Sequence, residues 1–155
     1  HDLDGLSAED FQRIYAVNTI GPFQMIRAAR AQLEAGAKAS GLPSAVVNVS
    51  SVAGISGGGS SVAYAASKGA LNTMTQSLAR ALAPLIRVNT VCPGNIVTEM
   101  KLSVDIALAE KAGTPVEEAI AKANREYGSP DGVARLIAFL VSDEADHVRG
   151  NVFTR

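Results

Sequence analysis

The stretch SSVAYAASKGALNTM, residues 60–74, places a tyrosine and a lysine, Tyr64 and Lys68, four positions apart among mostly small residues. On a helix this spacing puts both side chains on one face, with their Cβ atoms about 5–6 Å apart. Such a pair is most often incidental when nothing else accompanies it. It is also the arrangement in which an ammonium group can tune a phenol for proton transfer. The sequence around this stretch is needed to distinguish the two interpretations.

The apolar pattern on both sides of the stretch alternates between helices and strands. Ser7 is a predicted N-cap that opens a helix running to about Ala35. Ser129, followed by Pro130, predicts the start of a later helix. The other predicted elements are, in chain order, a strand at 45–51, a loop at 53–61, a helix at 62–82, a strand at 85–92, a helix at 114–127 and the start of a strand at 150–154. This alternation predicts one α/β domain, residues 1–155, with a parallel sheet covered by helices on both faces.

Composition and charge exclude several classes of function. The 155-residue chain is 47% hydrophobic, enough for one domain with a core. Its net charge of −1, with scattered cations, gives no electrostatic basis for binding nucleic acid or an anionic membrane. No apolar run reaches the roughly 18–20 residues of a membrane-spanning helix. One cysteine, Cys92, and two histidines predict neither an internal disulfide nor a metal site, so we expect a soluble, cytoplasmic protein.

Three further motifs accompany the tyrosine and lysine, in chain order VNTIGPF (17–23), VVNVSSVAG (46–54) and RVNTVCPGNIVTEM (87–100). The first contains Asn18 on the preceding helix, and the second is a strand that ends at Ser51, 13 positions before Tyr64. The third has a Pro-Gly turn after the next strand. In this order and spacing, the whole chain resembles the short-chain dehydrogenase/reductase family. The resemblance implies a Rossmann-like fold and an oxidoreductase.

The chemistry of the predicted catalytic residues follows partly from their side chains. Reduction of a ketone needs a proton donor, and Tyr64 is the natural one, with the Lys68 ammonium favouring its phenolate. A hydroxyl that donates to the developing oxyanion suits the same reaction, and the resemblance implies that Ser51 has this role. The resemblance also implies that Lys68 holds the ribose hydroxyls of the cofactor. It further implies that the backbone carbonyl of Asn18 holds a water that leads to the lysine.

The sequence offers its own argument for Asn18. Pro22 lies four residues later and has no N–H, so it cannot donate to the Asn18 carbonyl as a helical residue would. This predicts an unbonded carbonyl at the place where the resembling family uses one. The alternative is a polar residue in a kinked helix with no part in proton transfer.

The segment after the second strand matches the part of the family that packs over the nicotinamide, through Pro93, Gly94, Ile96 and Thr98. The resemblance implies that the backbone at Ile96 holds the carboxamide and that Thr98 bonds the amide or the pyrophosphate. An ordinary Pro-Gly turn is the alternative interpretation. The implied cofactor is NAD or NADP, and the residues that distinguish the two do not occur in this sequence.

The glycine-rich turn that binds the dinucleotide pyrophosphate in this family is also missing, and the chain begins without methionine. We therefore expect an N-terminally truncated sequence that corresponds to the catalytic, C-terminal half of such an enzyme. The strand at 45–51 would then have an edge open to water.

Small residues on the helix at 62–82, namely Ala65, Ala66, Gly69 and Thr73, permit close approach of another helix. In the resembling family this helix forms a dimer interface, so we expect a homodimer or homotetramer. The first functional hypothesis is an NAD(P)-dependent oxidoreductase that interconverts a secondary alcohol and a ketone of a small molecule. The second is a non-catalytic fragment that acts as an oligomerisation or binding module. The substrate stays open among 3-oxoacyl thioesters, steroids, sugars and small ketones.

Overall fold

The computed structural model describes residues 4–154 and shows a parallel three-stranded sheet with helices on both faces. The strands are β1 (Ser44–Val49), β2 (Ile86–Cys92) and β3 (Val152–Thr154). The α-helices are α1 (Ala8–Tyr15), α2 (Gly21–Ser40), α3 (Ala53–Ser56), α4 (Val62–Ala81), α5 (Glu99–Ala112), α6 (Val116–Glu126) and α7 (Pro130–Val141). The predicted α/β architecture is confirmed. None of the helices in this part of the chain has the length and hydropathy that a bilayer crossing requires.

β2 is the central strand, and all of its residues are buried. Successive side chains of a strand point to opposite faces of the sheet. Ile86 and Val88 pack with Ile26 of α2 and with Leu82, the C-cap of α4, in the main apolar cluster. Arg87 points to the other face, where its guanidinium meets the end of α7. The central strand is therefore the element to which both helical layers are attached.

Arg87 joins the central strand to α7 although its side chain is charged. It is 1% exposed, and its Nη1 and Nη2 donate to the carbonyls of Leu140 and Ser142 at 2.9 and 3.1 Å. Both carbonyls lie at the C-terminal end of α7, where the helix dipole favours a cation. Burial lowers the pKa of Arg87, and the two hydrogen bonds offset part of the cost of removing the group from water, since its Nε is buried without a partner within residues 4–154.

β1 lies at the edge of the sheet formed by the described strands. Its Val49 pairs in register with Val91 of β2, yet Val49 is 48% exposed whereas Val91 is 0% exposed. β1 is less buried than β2 because within residues 4–154 it has a neighbouring strand on one side only. The predicted open edge is confirmed for this part of the chain.

The first predicted helix is less regular than its apolar pattern implies. A π-helical segment, Ala16–Ile20, joins α1 to α2, and the Gly21 N–H donates to the Ala16 carbonyl five residues back. Pro22 accounts for the wider turn, because it cannot donate to the carbonyl four residues before it. The predicted N-cap at the start of α1 is confirmed, since the Ser7 hydroxyl accepts from the Asp10 N–H.

The predicted end of this helix near Ala35 is wrong. A single glycine, Gly36, is too weak a breaker among alanines and lysine, and α2 continues to its last residue at position 40. There Gly41 adopts a left-handed conformation with φ of 75°, and its N–H donates to the Ala37 carbonyl at 3.0 Å. This is the usual way in which glycine ends a helix.

Two other segments differ from the sequence-based expectation. α3 occupies the first part of the predicted loop at 53–61, and the apolar pattern predicts no element where α5 lies. Local signals for α5 do exist, since Thr98 caps its first turn and Gly113, with φ of 70°, ends it. The predicted helix at 62–82 and the Ser129 cap of α7 are confirmed.

Candidate active site

Tyr64 and Lys68 lie on one face of α4, as their spacing predicts. The helix begins directly before them, where the Ser61 hydroxyl accepts from the Tyr64 N–H at 3.2 Å. The Lys68 Nζ lies 5.7 Å from the centroid of the Tyr64 ring. The ammonium therefore lies beside the half-buried phenol.

Lys68 also reaches the carboxyl end of β1. Its Nζ donates to the Val49 carbonyl at 3.0 Å, which leaves two of its three N–H groups for other acceptors. Burial lowers the pKa of Lys68, and the neighbouring Cys92 only partly opposes this effect. The lysine is therefore a positioned and partly dehydrated cation rather than a freely moving surface charge.

Ser51 lies just beyond the end of β1. Its Oγ accepts from the Ala53 N–H at 3.1 Å, and within residues 4–154 its hydroxyl hydrogen has no acceptor. The next residue, Val52, donates its N–H to the Pro93 carbonyl at 3.1 Å. This bond brings the serine and the predicted cofactor segment to the same edge of the sheet.

Backbone packing after β1 fixes the position of Lys68. The Ser50 hydroxyl donates to the Lys68 carbonyl at 3.0 Å. A Cβ on Gly54 would lie 2.6 Å from the Lys68 carbonyl carbon, so α3 and α4 can approach this closely only with glycine at position 54. The sequence interpretation missed both contacts, although the glycine that follows the double serine is a visible signal.

The contact between α3 and α4 involves some of the small residues of α4. Ala65 is buried, and a Cβ on Gly69 would lie 3.2 Å from the Gly54 carbonyl oxygen. At Gly69 the close approach that the small residues permit is therefore made by α3 of the same chain. Ala66 is half-buried and Thr73 is exposed, so these two of the small residues on α4 are the more accessible to solvent.

Asn18 is connected to the tyrosine through a residue that the sequence interpretation missed. The Asn18 Nδ2 donates to the Ser67 Oγ at 3.1 Å, and the Ser67 hydroxyl donates to the Tyr64 carbonyl at 2.7 Å. Thr19 adds a bond from its hydroxyl to the Ser67 carbonyl at 3.0 Å. Ser67 is 0% exposed. The π-helical segment is thereby joined to the turn of α4 that carries the tyrosine.

The predicted cofactor segment follows β2 and leads into α5. Ile96 forms an isolated parallel bridge with Gly128, whose N–H donates to the Asn95 carbonyl at 2.9 Å and whose carbonyl accepts from the Val97 N–H at 3.0 Å. The Thr98 hydroxyl accepts from the backbone of the first turn of α5. These bonds hold the segment in an extended conformation next to the end of α6.

Comparison with known proteins assigns the chain to a family. A family model described as enoyl-(acyl carrier protein) reductase matches residues 1–154. A short-chain dehydrogenase/reductase homologue of Bacillus subtilis is 41% identical over 110 residues, which cover 71% of this chain and 78% of the relative. The chain therefore belongs to the short-chain dehydrogenase/reductase family of oxidoreductases.

Longer relatives and solved structures agree with this assignment. An uncharacterized oxidoreductase of Methylorubrum extorquens is 36% identical over 152 residues, which cover 97% of this chain and 57% of the relative. A short-chain dehydrogenase family structure from Francisella tularensis superposes with a TM-score of 0.86 at 27% identity, covering 99% of this chain and 63% of that chain. NAD⁺-bound xylitol dehydrogenase superposes with a TM-score of 0.82 at 26% identity, covering 98% of this chain and 61% of that chain. The fold is thus Rossmann-like, and the chain spans little more than half of these proteins.

Proposed function

We propose that this chain carries the catalytic residues of an oxidoreductase that interconverts a secondary alcohol and a ketone with a nicotinamide dinucleotide. One observation supports the proposal, namely that Lys68, which lies over the Tyr64 ring, bonds the carbonyl of Val49 at the end of β1, two residues before Ser51. In open parallel sheets, ligands bind at the carboxyl ends of the strands. A phenol, an ammonium and a hydroxyl at this edge are the groups that carbonyl reduction requires.

The hydrogen bonds of Ser51, Lys68 and Asn18 support the roles that we propose for the site residues. Tyr64 gives its phenolic proton to the substrate oxygen during reduction and takes one back during oxidation. Ser51 donates to the same oxygen, since its Oγ already accepts from the backbone and its hydroxyl hydrogen is left for an acceptor outside residues 4–154. Lys68 places a positive charge 5.7 Å from the centroid of the Tyr64 ring. Asn18 supports the position of the tyrosine through Ser67, and its backbone carbonyl is the proposed anchor of a water next to the lysine.

The site has groups that fit a nicotinamide dinucleotide. The two unused N–H groups of Lys68 suit the ribose hydroxyls, and the segment from Pro93 through Gly94 and Ile96 to Thr98 presents an extended backbone and a hydroxyl for the carboxamide and phosphates. When bound, the nicotinamide supplies the hydride. NAD⁺ is bound by the similar xylitol dehydrogenase, and we propose NAD or NADP for this chain.

The test uses tyrosine variants of the polypeptide that carries this sequence, assayed with NADH and NADPH against a panel of ketones. We expect Tyr64→Phe to lower kcat/KM by about 10²–10⁴-fold with little change in dinucleotide affinity. Tyr15→Phe is the matched control, because Tyr15 stacks on Phe11 in α1 at a ring distance of 5.2 Å. Undiminished activity of Tyr64→Phe would contradict the proposal. Dinucleotide binding without any turnover by the unaltered protein would favour the second hypothesis, a binding module.

We extend the proposal to self-association as a homodimer or homotetramer. The exposed parts of the π-helical segment and of α4 adjoin each other, and they present Val17, Ile20 and Thr73 to solvent. Sedimentation measurements on the unaltered protein and on Thr73→Arg test this surface. A sedimentation profile that does not change in the variant would contradict it.

A further inference from the structure

Three side chains outside the Tyr64 site form a closed cluster between α5 and the end of α6. The Lys101 Nζ donates to one oxygen of the Asp105 carboxylate and, at 3.3 Å, to the Tyr127 hydroxyl. The Tyr127 hydroxyl donates to the other Asp105 oxygen at 2.9 Å. The ammonium also lies 4.9 Å from the centroid of the Tyr127 ring. Lys101, Asp105 and Tyr127 are called the latch cluster below.

The latch cluster differs from the exposed ion pairs of this protein in its burial. The side chains of Lys101 and Asp105 are 29% and 14% exposed, whereas those of the Arg13–Asp10 pair are 76% and 35% exposed. Burial lowers the pKa of Lys101, but the bonds to the aspartate and tyrosine outweigh this and raise the pKa overall. Charge-assisted bonds shielded from water are stronger than exposed ones, so the cluster holds α5 and α6 together.

One end of the latch cluster is joined directly to the predicted cofactor segment. Tyr127 immediately precedes Gly128, and both backbone groups of Gly128 bond to the residues on either side of Ile96. A Cβ on Gly128 would lie 3.1 Å from the Ile96 Cδ1, so Gly128 also packs against the Ile96 side chain. Tyr127 is therefore connected through one peptide bond and two hydrogen bonds to the backbone on both sides of Ile96.

The other end of the cluster is joined to the same segment two residues later. The backbone N–H of Lys101 donates to the Thr98 Oγ1 at 3.2 Å. Covalent bonds and hydrogen bonds thus form a closed ring that runs from Thr98 through the latch cluster to Gly128 and back to Ile96. Breaking the cluster opens this ring without removing any group that is proposed to touch the dinucleotide.

We propose that Lys101, Asp105 and Tyr127 are positioning residues that hold residues 95–98 in the conformation that receives the nicotinamide end of the dinucleotide. This role rests on the proposed function above. The cluster acts only through the backbone of that segment.

The first experiment measures hydrogen exchange of the Val97 and Gly128 amides in Tyr127→Phe. This variant keeps the ring but loses both bonds of the hydroxyl, so we expect the two amides to exchange about tenfold faster. Tyr15→Phe is the matched control and should leave both rates unchanged. Unchanged rates at Val97 and Gly128 in Tyr127→Phe would overturn the proposal, whether or not the protein is active.

The second experiment measures the dissociation constants of NADH and NADPH and the thermal midpoint Tm. We expect Tyr127→Phe and Asp105→Asn to weaken binding of the preferred dinucleotide by about tenfold and to lower Tm by about 2–4 °C, because the cluster also holds α5 and α6 together. Asp105→Glu keeps the charge and should restore much of the affinity, whereas Glu110→Gln on the exposed side of α5 should have no effect.

The outcomes separate this role from the proposed function. If the unaltered protein binds neither dinucleotide, the proposed function fails, and the role assigned to the latch cluster fails with it. If the unaltered protein binds a dinucleotide and the latch variants bind it equally well, the proposed function stands and the positioning role is overturned. A fall in Tm without any change in affinity would likewise reduce the cluster to a structural contact.

Discussion

β1 and β2 are similar in composition and lie side by side in register, yet they differ greatly in burial. Val49 pairs with Val91 and Val46 pairs with Val88, but both β2 residues are 0% exposed. β2 has a neighbouring strand on each side, whereas β1 has one within residues 4–154. The same side chain therefore removes different amounts of apolar surface from water in the two strands, and its contribution to stability differs accordingly.

The low burial of β1 does not extend to the residues that follow it. The residues that follow Val49 pack as closely as the central strand, since Ser50 bonds the Lys68 carbonyl and Gly54 lies against the α4 backbone. The open edge of the strand is thus separated by only a few residues from a rigid site. Three sets of substitutions test this contrast, and they are given in order of decreasing expected effect on stability.

We expect Gly54→Ala to have the largest effect. Its Cβ would lie 2.6 Å from the Lys68 carbonyl carbon and 2.7 Å from the Gly69 nitrogen, so α3 and α4 would have to move apart. We expect a loss of about 3 kcal/mol in the free energy of unfolding, measured by urea denaturation. Gly58→Ala is the control in the same segment, because its Cβ would meet only the Ser56 Oγ, at 3.7 Å. A loss no larger than that of the control would show that the site after β1 is not tightly packed.

We expect substitution of the paired valines to have the next largest effect on stability. Val91→Ala creates a cavity in the centre of the sheet and should cost about 2 kcal/mol of unfolding free energy. Val49→Ala removes a side chain that is 48% exposed and should cost about 0.5 kcal/mol. The same denaturation measurement applies to Val88→Ala and Val46→Ala as a second matched pair. Equal losses within a pair would refute the assignment of β1 to the edge.

We expect the smallest effect on stability from ionisation of the Cys92 thiol at the end of β2. Burial raises the pKa of Cys92, and nearby hydrogen bonds and the Lys68 charge only partly oppose this. Above the ordinary cysteine value of about 8.5, the unfolded chain loses the proton that the folded chain keeps. Stability therefore falls as pH rises from that value toward the folded pKa, by at most about 1.4 kcal/mol per pH unit.

The test of the thiol compares the pH dependence of unfolding in the native chain and in Cys92→Ala. The difference between the two isolates the thiol from Lys68, whose lowered pKa acts in the opposite direction in the alkaline range. In addition, iodoacetamide should modify Cys92 far more slowly in the folded chain than in urea. Identical slopes for the two proteins, or rapid modification of the folded chain, would contradict the burial of this residue.

Local signals in the sequence were sufficient for several features of the fold and site. The caps at Ser7 and Ser129 and the shared face of Tyr64 and Lys68 are confirmed, because capping and helical spacing depend on residues within a few positions. The end of α2 was missed because the flanking alanines outweigh Gly36. Contacts over long sequence distances were missed as well, including the pairing of Gly54 with α4.

The amino-acid sequence by itself determined the order of helices and strands, the parallel α/β class and the family, because hydrophobic periodicity and motif spacing are properties of neighbouring residues. Only the tertiary structure decided which strand is central and that the small-residue face of α4 is half covered by α3. It also decided that Asn18 reaches Ser67, 49 residues away, and that the latch cluster closes on Tyr127. Such contacts depend on how separate elements pack, and packing between distant residues has no local pattern from which it can be inferred.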